Sequence, residues 1–505
     1  MYLNFSVKPL FKDRICAVLA APKLRFIFAQ ALAARKRTRT VEVRLDWLHE
    51  AERERFCELD LPQGLTVIAT CRSEAAGGRF AGDEFAQIAE LTAADRTGCG
   101  WQDLEIETAD ALPANWLAHV KGEVRTVISL HDFSRTPKRL DAVAARLRSV
   151  GGAAVKIATQ CNSLRDSLRV LELCKGRRNV IAVPMGEIGL PARVLALRHG
   201  SALAYGAVGE KTAPGQPTLH EMKYLYRADK LDKRTRVYGV IGNPVSHSLS
   251  PLLHNTGFIA RRMNDVYLPF LVNDLRDFLG AIKPLGVRGF SVTIPFKEKI
   301  LRHLDECDPL AEAIGAVNTV VVRGNGKLYG MNTDYVGVLR ALQKRVSLRG
   351  SRVLIYGAGG VARAVAFALA QEGANPAICA RRPEQARRLA RAVRGEAIER
   401  RRLGGEYFDA IVNCTPVGMH PRASESPLRA DELNCRLVFD TVYRPLRTKL
   451  LQLAERRGIE TVSGVEMFLA QGMAQWEIWT EQRAPEKQMR AAVLSKLQQE
   501  EMRAE

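Results

Sequence analysis

Short apolar runs alternate with helix-length segments over about the first 220 residues of the chain. Eight runs have the length and β-branched content of buried strands. They are ICAVLA, VEVRLD, LTVIATCR, DLEIE, TVISLHD, AAVKIAT, NVIAVPMG and ALAYGA. Eight β/α alternations over roughly 200 residues predict an α/β fold, a (β/α)₈ TIM barrel.

Charged side chains lie near the carboxyl ends of several predicted strands. They are Glu42, Arg44, Arg72, His131 and Lys156. In barrels of this kind the carboxyl ends of the strands form the mouth that carries catalytic groups. We therefore expect these five side chains to share one mouth.

Lys156 lies inside the apolar run AAVKIAT. Burial disfavours the ammonium form, and a neutral amine attacks carbonyls to form a Schiff base. The plainer alternative is a strand-end lysine whose amine reaches water. His131 ends the preceding predicted strand, where it either caps a turn with Asp132 or moves a proton next to that carbonyl.

A second α/β pattern follows the charged segment from Tyr224 to Arg236, which predicts a linker. In GNPVSHSLSPLLHN we expect a helix that begins with a serine N-cap and with Pro251 in its first turn. Such a helix start binds a carboxylate or is only a cap. Lys297 in GFSVTIPFKE and Asp334 in YGMNTDYVG form either a proton-transferring pair or a surface salt bridge.

The segment SRVLIYGAGGVARAVAFALAQEGA reads as strand, glycine turn and helix. Gly357, Gly359 and Gly360 would let a pyrophosphate approach the helix N-terminus, with Ala362 in the last place of the pattern. The next predicted strand ends in Arg381 and Arg382 and has no acidic residue for ribose hydroxyls. This favours NADP over NAD, although the two arginines could instead begin a basic helix face.

Composition narrows the class of protein. The chain has 505 residues, which suggests about three domains, with 47% hydrophobic and 26% charged residues. It has no apolar run of about 18 residues and no signal-peptide pattern, so we expect a cytoplasmic protein. Its 10 cysteines form no CxxC pair, which predicts reduced thiols and no metal.

The net charge of +20 admits nucleic acid, an anionic membrane or anionic small molecules as partners. No zinc finger, helix-turn-helix or aromatic-interleaved basic motif is present, so we expect neither nucleic acid nor membrane as a partner. The sequence does not predict the oligomeric state.

Residues 14 to about 220 resemble type I 3-dehydroquinate dehydratase. The similarity rests on VEVRLD, CRSEAAGG, SLHDFSRTP, VKIA, MGEIGLPAR and KTAPGQ, in that order. The resemblance implies that Lys156 forms an imine with the substrate ketone, and that His131 moves the proton and helps the hydroxyl leave as water. It implies that Arg193 holds the substrate carboxylate. Ring hydroxyls would be held by Glu42, Arg44, Arg72, Thr212 and Gln216.

This chain departs from that family at Ala76. The family usually has a glutamate there, immediately before the double glycine and hydrogen-bonded to the histidine. Glu74 is either an ordinary loop residue or a substitute from two residues away. Milder departures are Thr212, where serine is usual, and Ala192 before the arginine.

From about Val237 to Thr480 the chain resembles shikimate dehydrogenase. Further matching segments are NCTPVGM, VFDTVYRPLRTKLL and VSGVEMFLAQGMAQWEIWT. The resemblance implies that Lys297 and Asp334 are the catalytic pair, with Lys297 protonating the alkoxide as hydride arrives from NADPH. The implied substrate-binding residues are Ser248, Ser250, Thr293, Asn318, Asn332, Asp334, Tyr443 and Gln471. The implied cofactor-binding residues are Gly357, Ala358, Gly359, Gly360, Val361, Ala362, Arg381, Arg382, Thr415, Met419 and Gly464.

The fused order resembles the bifunctional dehydratase–dehydrogenase family. We expect a barrel over residues 1–223, a linker over 224–236, a shikimate-binding domain over 237–338 completed by 464–490, and an NADP-binding Rossmann domain over 339–463. The expected function is dehydration of 3-dehydroquinate to 3-dehydroshikimate through a Schiff base, then NADPH-dependent reduction to shikimate. Two alternatives are a dehydrogenase fused to an impaired barrel that acts as a binding or structural module, and a binder of nucleic acid or an anionic surface.

Overall fold

The computed structural model describes residues 10–95, 97–113 and 125–504. The chain divides into two compact units, one formed by Met1–Arg236 with Asn264–Gly286 and the other by Val237–Met263 with Val287–Glu505. Each unit is described by itself.

The first unit contains eight parallel strands that curl into a nearly closed barrel. They are β1 Ile15–Leu19, β2 Thr40–Arg44, β3 Thr66–Thr70, β4 Trp101–Glu105, β5 Arg125–Asp132, β6 Ala154–Gln160, β7 Val180–Met185 and β8 Ala204–Ala207. Their order in the sheet is β7-β6-β5-β4-β3-β2-β1-β8. Between the two end strands, the N–H of Ala202 donates to the carbonyl of Val180 at 2.8 Å. The predicted barrel is confirmed.

Helices follow most of these strands. They are α1 Leu24–Arg35, α2 Glu50–Glu54, α3 Glu84–Asp95, α4 Ile106–Ala111, α5 Leu140–Ser149, α6 Leu164–Glu172 and α7 Leu190–Leu195. Ser163 begins α6 as an N-cap that accepts from the N–H of Asp166.

The fourth strand lies two residues earlier than the pattern DLEIE predicts, and Ile106 already begins α4. The strand starts with Trp101, Gln102 and Asp103, all buried. Because two of these are polar, hydrophobicity alone does not signal the start of the strand.

Apolar side chains from seven strands and from Phe11 form a hydrophobic cluster inside the barrel. The strand members are Cys16, Val18, Ile68, Trp101, Val127, Ala154, Ile181 and Tyr205. Successive residues of a strand point to opposite faces, so a residue two positions further along also faces inward. Asp103, Ser129 and Lys156 follow Trp101, Val127 and Ala154 at that spacing and form the next layer toward the carboxyl ends.

The segment 224–236, predicted to be a linker without a core face, has three buried apolar side chains. Tyr226, Ala228 and Leu231 are 5%, 0% and 5% exposed. The segment therefore packs within its unit instead of crossing solvent. The predicted domain boundaries stay predictions.

The later strands and helices complete the described chain. The strands are β9 Arg236–Gly242, β10 Asp265–Leu271, β11 Val287–Val292, β12 Glu306–Cys307, β13 Thr319–Val322, β14 Leu328–Met331, β15 Arg352–Tyr356, β16 Asn375–Cys379, β17 Glu396–Ala397, β18 Phe408–Asn413, β19 Cys435–Asp440 and β20 Glu460–Ser463. The helices are α8 Ser250–Ala260, α9 Leu275–Leu285, α10 Pro309–Ile314, α11 Asp334–Leu342, α12 Gly360–Gln371, α13 Pro383–Ala392, α14 Lys449–Arg456, α15 Gly464–Thr480 and α16 Glu486–Ala504. Of these, β10 and α9 belong to the first unit.

The second unit has two sheets. In one, β9-β11-β13-β14-β12 are neighbours in that order. The other is wholly parallel in the order β17-β16-β15-β18-β19-β20. This is the doubly wound arrangement, in which the order of the strands reverses beside β15. The reversal leaves a crevice for a ligand at the carboxyl ends of the strands.

The helix start at Ser250 differs from the expectation. Ser250 is the first residue of α8, and its N-cap position is Leu249. The hydroxyl of Ser248 accepts from the N–H of Ser250 at 3.2 Å. The predicted serine N-cap is therefore wrong for Ser250, whereas Pro251 stands in the first turn as expected.

Candidate active sites

The mouth of the barrel contains a cavity lined by all eight barrel residues that the sequence singles out. They are Glu42, Arg44, Arg72, His131, Lys156, Arg193, Thr212 and Gln216. Ala76, Phe133 and Tyr205 line the same cavity. The β/α architecture thus gathers residues that are up to 174 positions apart in the sequence, from Glu42 to Gln216.

Lys156 is held between two buried carboxylates. Its amine contacts Asp103 and lies 3.2 Å from Oε1 of Glu42. The face of the Tyr205 ring lies below it, with the centroid 5.0 Å from Nζ. All three neighbours attract a positive charge, so the view of Lys156 as a lysine neutralised by burial alone is incomplete.

Arg72 is likewise surrounded by acids. Its guanidinium lies 2.8 Å from Asp103 and 3.0 Å from Glu105, and it donates to the hydroxyl of Ser129 at 3.1 Å. Ser129 in turn donates to Asp103 at 2.5 Å. These contacts fix the orientation of Arg72 at the cavity wall.

The environment of His131 favours the neutral imidazole. Burial, followed by the positive charges of Arg72 and Lys156, moves the pKa of His131 well below its usual value, while Asp103 opposes the shift. Its Nδ1 is buried and has no hydrogen-bond partner among the described residues. A neutral imidazole is an available base.

Ala76 is 7% exposed and lines the cavity wall. The side chain of Glu74 is exposed and is not part of that wall. Of the two readings of Glu74, the structure supports the ordinary loop residue. What Ala76 does to the reaction rate stays an open prediction.

Arg193 is a buried cation without an acidic partner. It is 5% exposed, and its guanidinium donates only to backbone carbonyls, at 2.7 Å to Pro184 and 3.5 Å to Pro214. No ion pair joins it to a carboxylate in the described ranges, and burial lowers its pKa to about 10. A buried unpaired cation is costly, so a cavity that contains one favours an anionic ligand.

Two further pairs of predicted ligand residues contact each other. Arg44 forms a two-pronged ion pair with Asp46 at 2.8 and 2.7 Å. The side-chain oxygen of Gln216 accepts from the backbone N–H and the hydroxyl of Thr212 at 2.8 and 3.1 Å. Arg44, Thr212 and Gln216 line the cavity, and these contacts hold their polar groups in place.

The second unit brings Lys297 and Asp334 into contact. The amine of Lys297 lies 2.5 Å from Oδ2 of Asp334, and their side chains are 15% and 6% exposed. This is not a surface salt bridge. The amide of Asn318 donates to Oδ1 of the same carboxylate at 2.8 Å, which leaves Oδ2 for the lysine.

Helix α15 connects this pair to Tyr443. Gln471 on α15 accepts from Asn318 at 3.4 Å and donates to the carbonyl of Phe468 at 3.0 Å. The ring of Phe468 stacks on Tyr443 with centroids 4.5 Å apart. The phenol of Tyr443 is hydrogen-bonded to the backbone of Leu249, between Ser248 and Ser250. Contacts thus run from Asp334 through Asn318, Gln471 and Phe468 to Tyr443.

Asn332 and Thr293 differ from the rest. The amide of Asn332 donates to the carbonyl of Ala316 at 2.8 Å, and its oxygen accepts from the N–H of Asp334 at 3.0 Å. Asn332 therefore positions Asp334, because its side chain is occupied by the backbone. Thr293 directly follows β11, and no side-chain hydrogen bond joins it to the others in the described part of the chain.

The glycine turn after β15 lies beside Lys297. Gly357 has a φ of +127°, which other residues rarely adopt. A Cβ atom added to Gly359 would have no heavy atom within 4 Å, whereas one added to Gly360 would lie 3.6 Å from the Lys297 side chain. Gly359 is also the N-cap of α12 and has no side chain to cap it. The turn thus offers free helix N–H groups next to the lysine.

The remaining candidate cofactor-binding residues differ in their exposure to solvent. Ala358 and Val361 are half-buried, and Ala362 is fully buried against the sheet. Arg381 and Arg382, which follow β16, are exposed, as is Met419 at 42%. Gly464 begins α15, where a side chain would clash with the carbonyl of Thr441.

A buried network fixes the loop that carries Thr415. The oxygen of Asn413 accepts from the N–H and hydroxyl of Thr415 at 3.0 and 2.8 Å. The amide of Asn413 donates to Asp440 at 2.8 Å, and Thr448 donates to the other Asp440 oxygen at 2.6 Å. Burial raises the pKa of Asp440 to about 6, against these hydrogen bonds.

Sequence reasoning missed Asp103, Glu105, Ser129 and Tyr205 in the barrel, and Asp440 in the second unit. The alternation of inward and outward side chains along β4, β5 and β6 could have identified Asp103 and Ser129. Both occupy the same inward layer as Lys156. Their contacts with Arg72 depend on tertiary structure and leave no sequence signal.

Comparison with known proteins agrees with this geometry. Residues 15–233 match the family of type I 3-dehydroquinases. Residues 240–320 match the shikimate dehydrogenase substrate binding domain, and residues 464–494 match the shikimate 5'-dehydrogenase C-terminal domain.

Relatives are similar over the whole chain or over its second half. The chain is 35% identical to a chloroplastic bifunctional 3-dehydroquinate dehydratase/shikimate dehydrogenase of Arabidopsis thaliana, over 95% of this chain and 84% of that protein. It is 42% identical to the shikimate dehydrogenase (NADP(+)) of Thermococcus kodakarensis, over 52% of this chain and 97% of that protein. A crystal structure of a shikimate dehydrogenase in complex with NADP+ has 36% identity and a TM-score of 0.50, and the match covers 53% of this chain and 97% of that one.

The barrel cavity and the lysine–aspartate cluster define an enzyme with two separate sites. The chain belongs to the family of bifunctional 3-dehydroquinate dehydratase/shikimate dehydrogenases. The predicted fold class, and the prediction that a lyase and an oxidoreductase are joined in one chain, are confirmed by this membership. No helix among the described residues is long and apolar enough to cross a membrane.

The Asp440 network generates a prediction about stability. Because the folded-state pKa of about 6 exceeds the ordinary value of 3.8, protonated Asp440 stabilises the fold fully below pH 3.8, and this stabilisation is lost as the pH rises through 6. Asp440→Asn stays neutral at every pH. We expect its stability advantage over the native protein to be larger at pH 8 than at pH 5.

The measurement is the midpoint of thermal inactivation of the dehydrogenase at both pH values. Asp431→Asn, at a carboxylate whose side chain is 72% exposed, is the matched control and should show no such pH trend. An advantage of Asp440→Asn that is the same at both pH values would contradict the role of burial.

Proposed function

We propose that the chain dehydrates 3-dehydroquinate to 3-dehydroshikimate in the barrel and reduces that product to shikimate in the second unit. The observation that carries the proposal is Arg193, a buried guanidinium with no carboxylate partner, in the same cavity as Lys156. A ligand that carries both a carboxylate and a ketone would satisfy both groups.

In the barrel, Arg193 binds the carboxylate through its planar fork. The amine of Lys156, once it has lost a proton to the neutral His131, attacks the ketone. His131 returns that proton to the oxygen and so forms the carbinolamine, whose nitrogen gives the oxygen a second proton. The oxygen then leaves as water, which gives the protonated imine. Glu42, Arg44, Arg72, Thr212 and Gln216 hold the ring hydroxyls.

The dehydration then needs one proton transfer on each side of a carbon–carbon bond. His131 takes the proton from the carbon next to the imine, which yields an enamine because the protonated imine accepts the electron pair. The same imidazolium gives its proton to the departing hydroxyl, which leaves as water. A water molecule finally hydrolyses the imine and frees Lys156, so that the net products are 3-dehydroshikimate and water.

In the second unit, Lys297 and Asp334 serve the ketone of the next substrate. Lys297 donates a proton to the oxygen that becomes the new hydroxyl, and Asp334, oriented by Asn318, holds the lysine in place. Ser248, Ser250, Thr293, Tyr443 and Gln471 bind the substrate's carboxylate and hydroxyls, while Asn332 positions Asp334.

The glycine turn fits a dinucleotide. Gly359 leaves open space at an uncapped helix N-terminus, where a pyrophosphate would find free N–H groups. When bound, NADPH supplies the hydride. Arg381 and Arg382 would hold the 2′-phosphate, and the residues from Gly357 to Ala362, with Thr415, Met419 and Gly464, would contact the rest of the cofactor.

Several finer predictions belong to this proposal. They are the domain boundaries 1–223, 224–236, 237–338 with 464–490, and 339–463, a cytoplasmic location, the absence of a metal, and the absence of nucleic-acid and membrane partners. The related plant protein is named chloroplastic, so a plastid is the alternative location.

The imine at Lys156 can be trapped. We expect borohydride added with 3-dehydroquinate to leave a ligand-sized mass increase on the peptide that contains Lys156. Lys156→Ala should give no adduct and no dehydration, while the same protein still oxidises NADPH with 3-dehydroshikimate. Full dehydration by Lys156→Ala would overturn the mechanism.

Arg193 should act on substrate binding. Arg193→Lys loses the planar fork, so we expect KM for 3-dehydroquinate to rise by roughly 10- to 100-fold with a smaller effect on kcat. Arg169→Lys is the matched control, because Arg169 also donates to two backbone carbonyls, of Pro137 and Lys138, but lies outside the cavity. Equal KM values for both variants would remove Arg193 from the carboxylate site.

The cofactor preference can be tested at the end of β16. In Arg381→Ala/Arg382→Ala we expect KM for NADPH to rise about tenfold or more, with KM for NADH unchanged, because only NADPH carries the 2′-phosphate. Arg388→Ala/Arg391→Ala on α13 is the control for a general basic helix face. An equal loss in both double variants would favour the basic-face alternative.

A further inference from the structure

Asp103 contacts three side chains at the barrel mouth, and none of the roles assigned above is its own. It lies on β4, is 2% exposed, and contacts the amine of Lys156. Its Oδ1 accepts from Arg72 at 2.8 Å and from Ser129 at 2.5 Å. With three partners on three different segments, the carboxylate has one defined position.

The charge balance around Asp103 is unusual for a buried site. Burial raises the pKa of Asp103, but the positive charges of Lys156 and Arg72 outweigh this effect, so that the pKa lies far below its usual value. The ionised carboxylate is therefore the favoured form. Among the described residues, the carboxylate of Glu42 contacts Lys156 and Thr70, and that of Glu105 contacts Arg72 and Ser73.

His131 needs this anion when it becomes charged. The charged groups that act on it are Arg72, Lys156, Arg44 and Asp103. Arg72, Lys156 and Arg44 oppose protonation of the imidazole, whereas Asp103 favours it. When His131 takes a proton from carbon, the protonated imine of Lys156 becomes a neutral enamine, so the positive charge moves from that nitrogen to the imidazolium.

We propose that Asp103 is the positioning residue that makes this proton transfer possible, by compensating the charge on both Lys156 and His131. It does not itself touch the reacting carbon. Ala76 has no carboxylate to offset the charge on His131, and Asp103 provides that compensation. The inference rests on the proposed imine chemistry and deepens it.

Asp103→Asn tests the charge, because the amide has the same shape. We expect kcat of the dehydratase to fall by about 100-fold or more, the range of general acid–base catalysis. With 3-dehydroquinate deuterated at the carbon next to the ketone, the isotope effect on kcat should increase, since proton transfer becomes the slow step. Borohydride should still trap the adduct on Lys156.

A second variant addresses the position of the carboxylate. Ser129→Ala removes one donor to Asp103 and leaves the charge, so we expect a smaller fall in kcat with an increase in the same isotope effect. Asp265→Asn is the matched control, because Asp265 is also a buried, arginine-paired aspartate, at 1% exposure, and it bonds Arg236 instead of a cavity residue. It should leave both quantities unchanged.

The two proposals can fail separately. No adduct on Lys156 in the native protein would sink the imine chemistry itself. An adduct in the native protein, together with an Asp103→Asn variant whose kcat is within about threefold of native or whose isotope effect is unchanged, would overturn only the role of Asp103.

Discussion

Burial of positive charge is the constraint on which the barrel site depends. Lys156, Arg72 and Arg193 are 4%, 3% and 5% exposed. Removing such charges from water costs several kcal/mol each unless they are compensated. Asp103, Glu42 and Glu105 compensate the first two, and only Arg193 is left for a ligand. A cavity that contains such a cation favours an anionic ligand.

The same logic explains why Lys156 differs from an ordinary buried lysine. An amine in an apolar pocket reacts because it is neutral, but it then offers no stabilisation to a cationic imine. Between Asp103, Glu42 and the face of Tyr205, the ammonium and the protonated imine are both stabilised, while the neutral His131 nearby provides the base. Two carboxylates and an aromatic face beside the amine suit a cationic imine that acts as an electron sink.

Sequence pattern predicts the strands, the glycine turn and most site residues, because each depends on local order. Eight alternations give the barrel, and a lysine two positions after an inward alanine must also point inward. The pattern does not predict the layer partners of Lys156, since Asp103 and Ser129 become its neighbours only through the pairing of β4, β5 and β6. It also misplaces the start of β4, where Gln102 and Asp103 interrupt the apolar signal, and the cap of α8, where Leu249 takes the position expected for a serine. Asn332 shows the converse limit, because its residue type suggests a ligand contact but its hydrogen bonds all go to backbone.

Because Ala76 has no carboxylate, both the orientation and the charge of His131 depend on other groups. A histidine base commonly depends on a carboxylate that orients the ring and offsets the charge it gains. Here Nδ1 of His131 is buried without a partner in the described chain, so orientation must come from packing, while charge compensation comes from Asp103 through space. Coulomb energy falls only as the inverse of distance in a poorly screened interior, whereas a hydrogen bond vanishes within one ångström. The absence of a carboxylate at Ala76 therefore affects the alignment of the ring more than the electrostatic stabilisation of its charge.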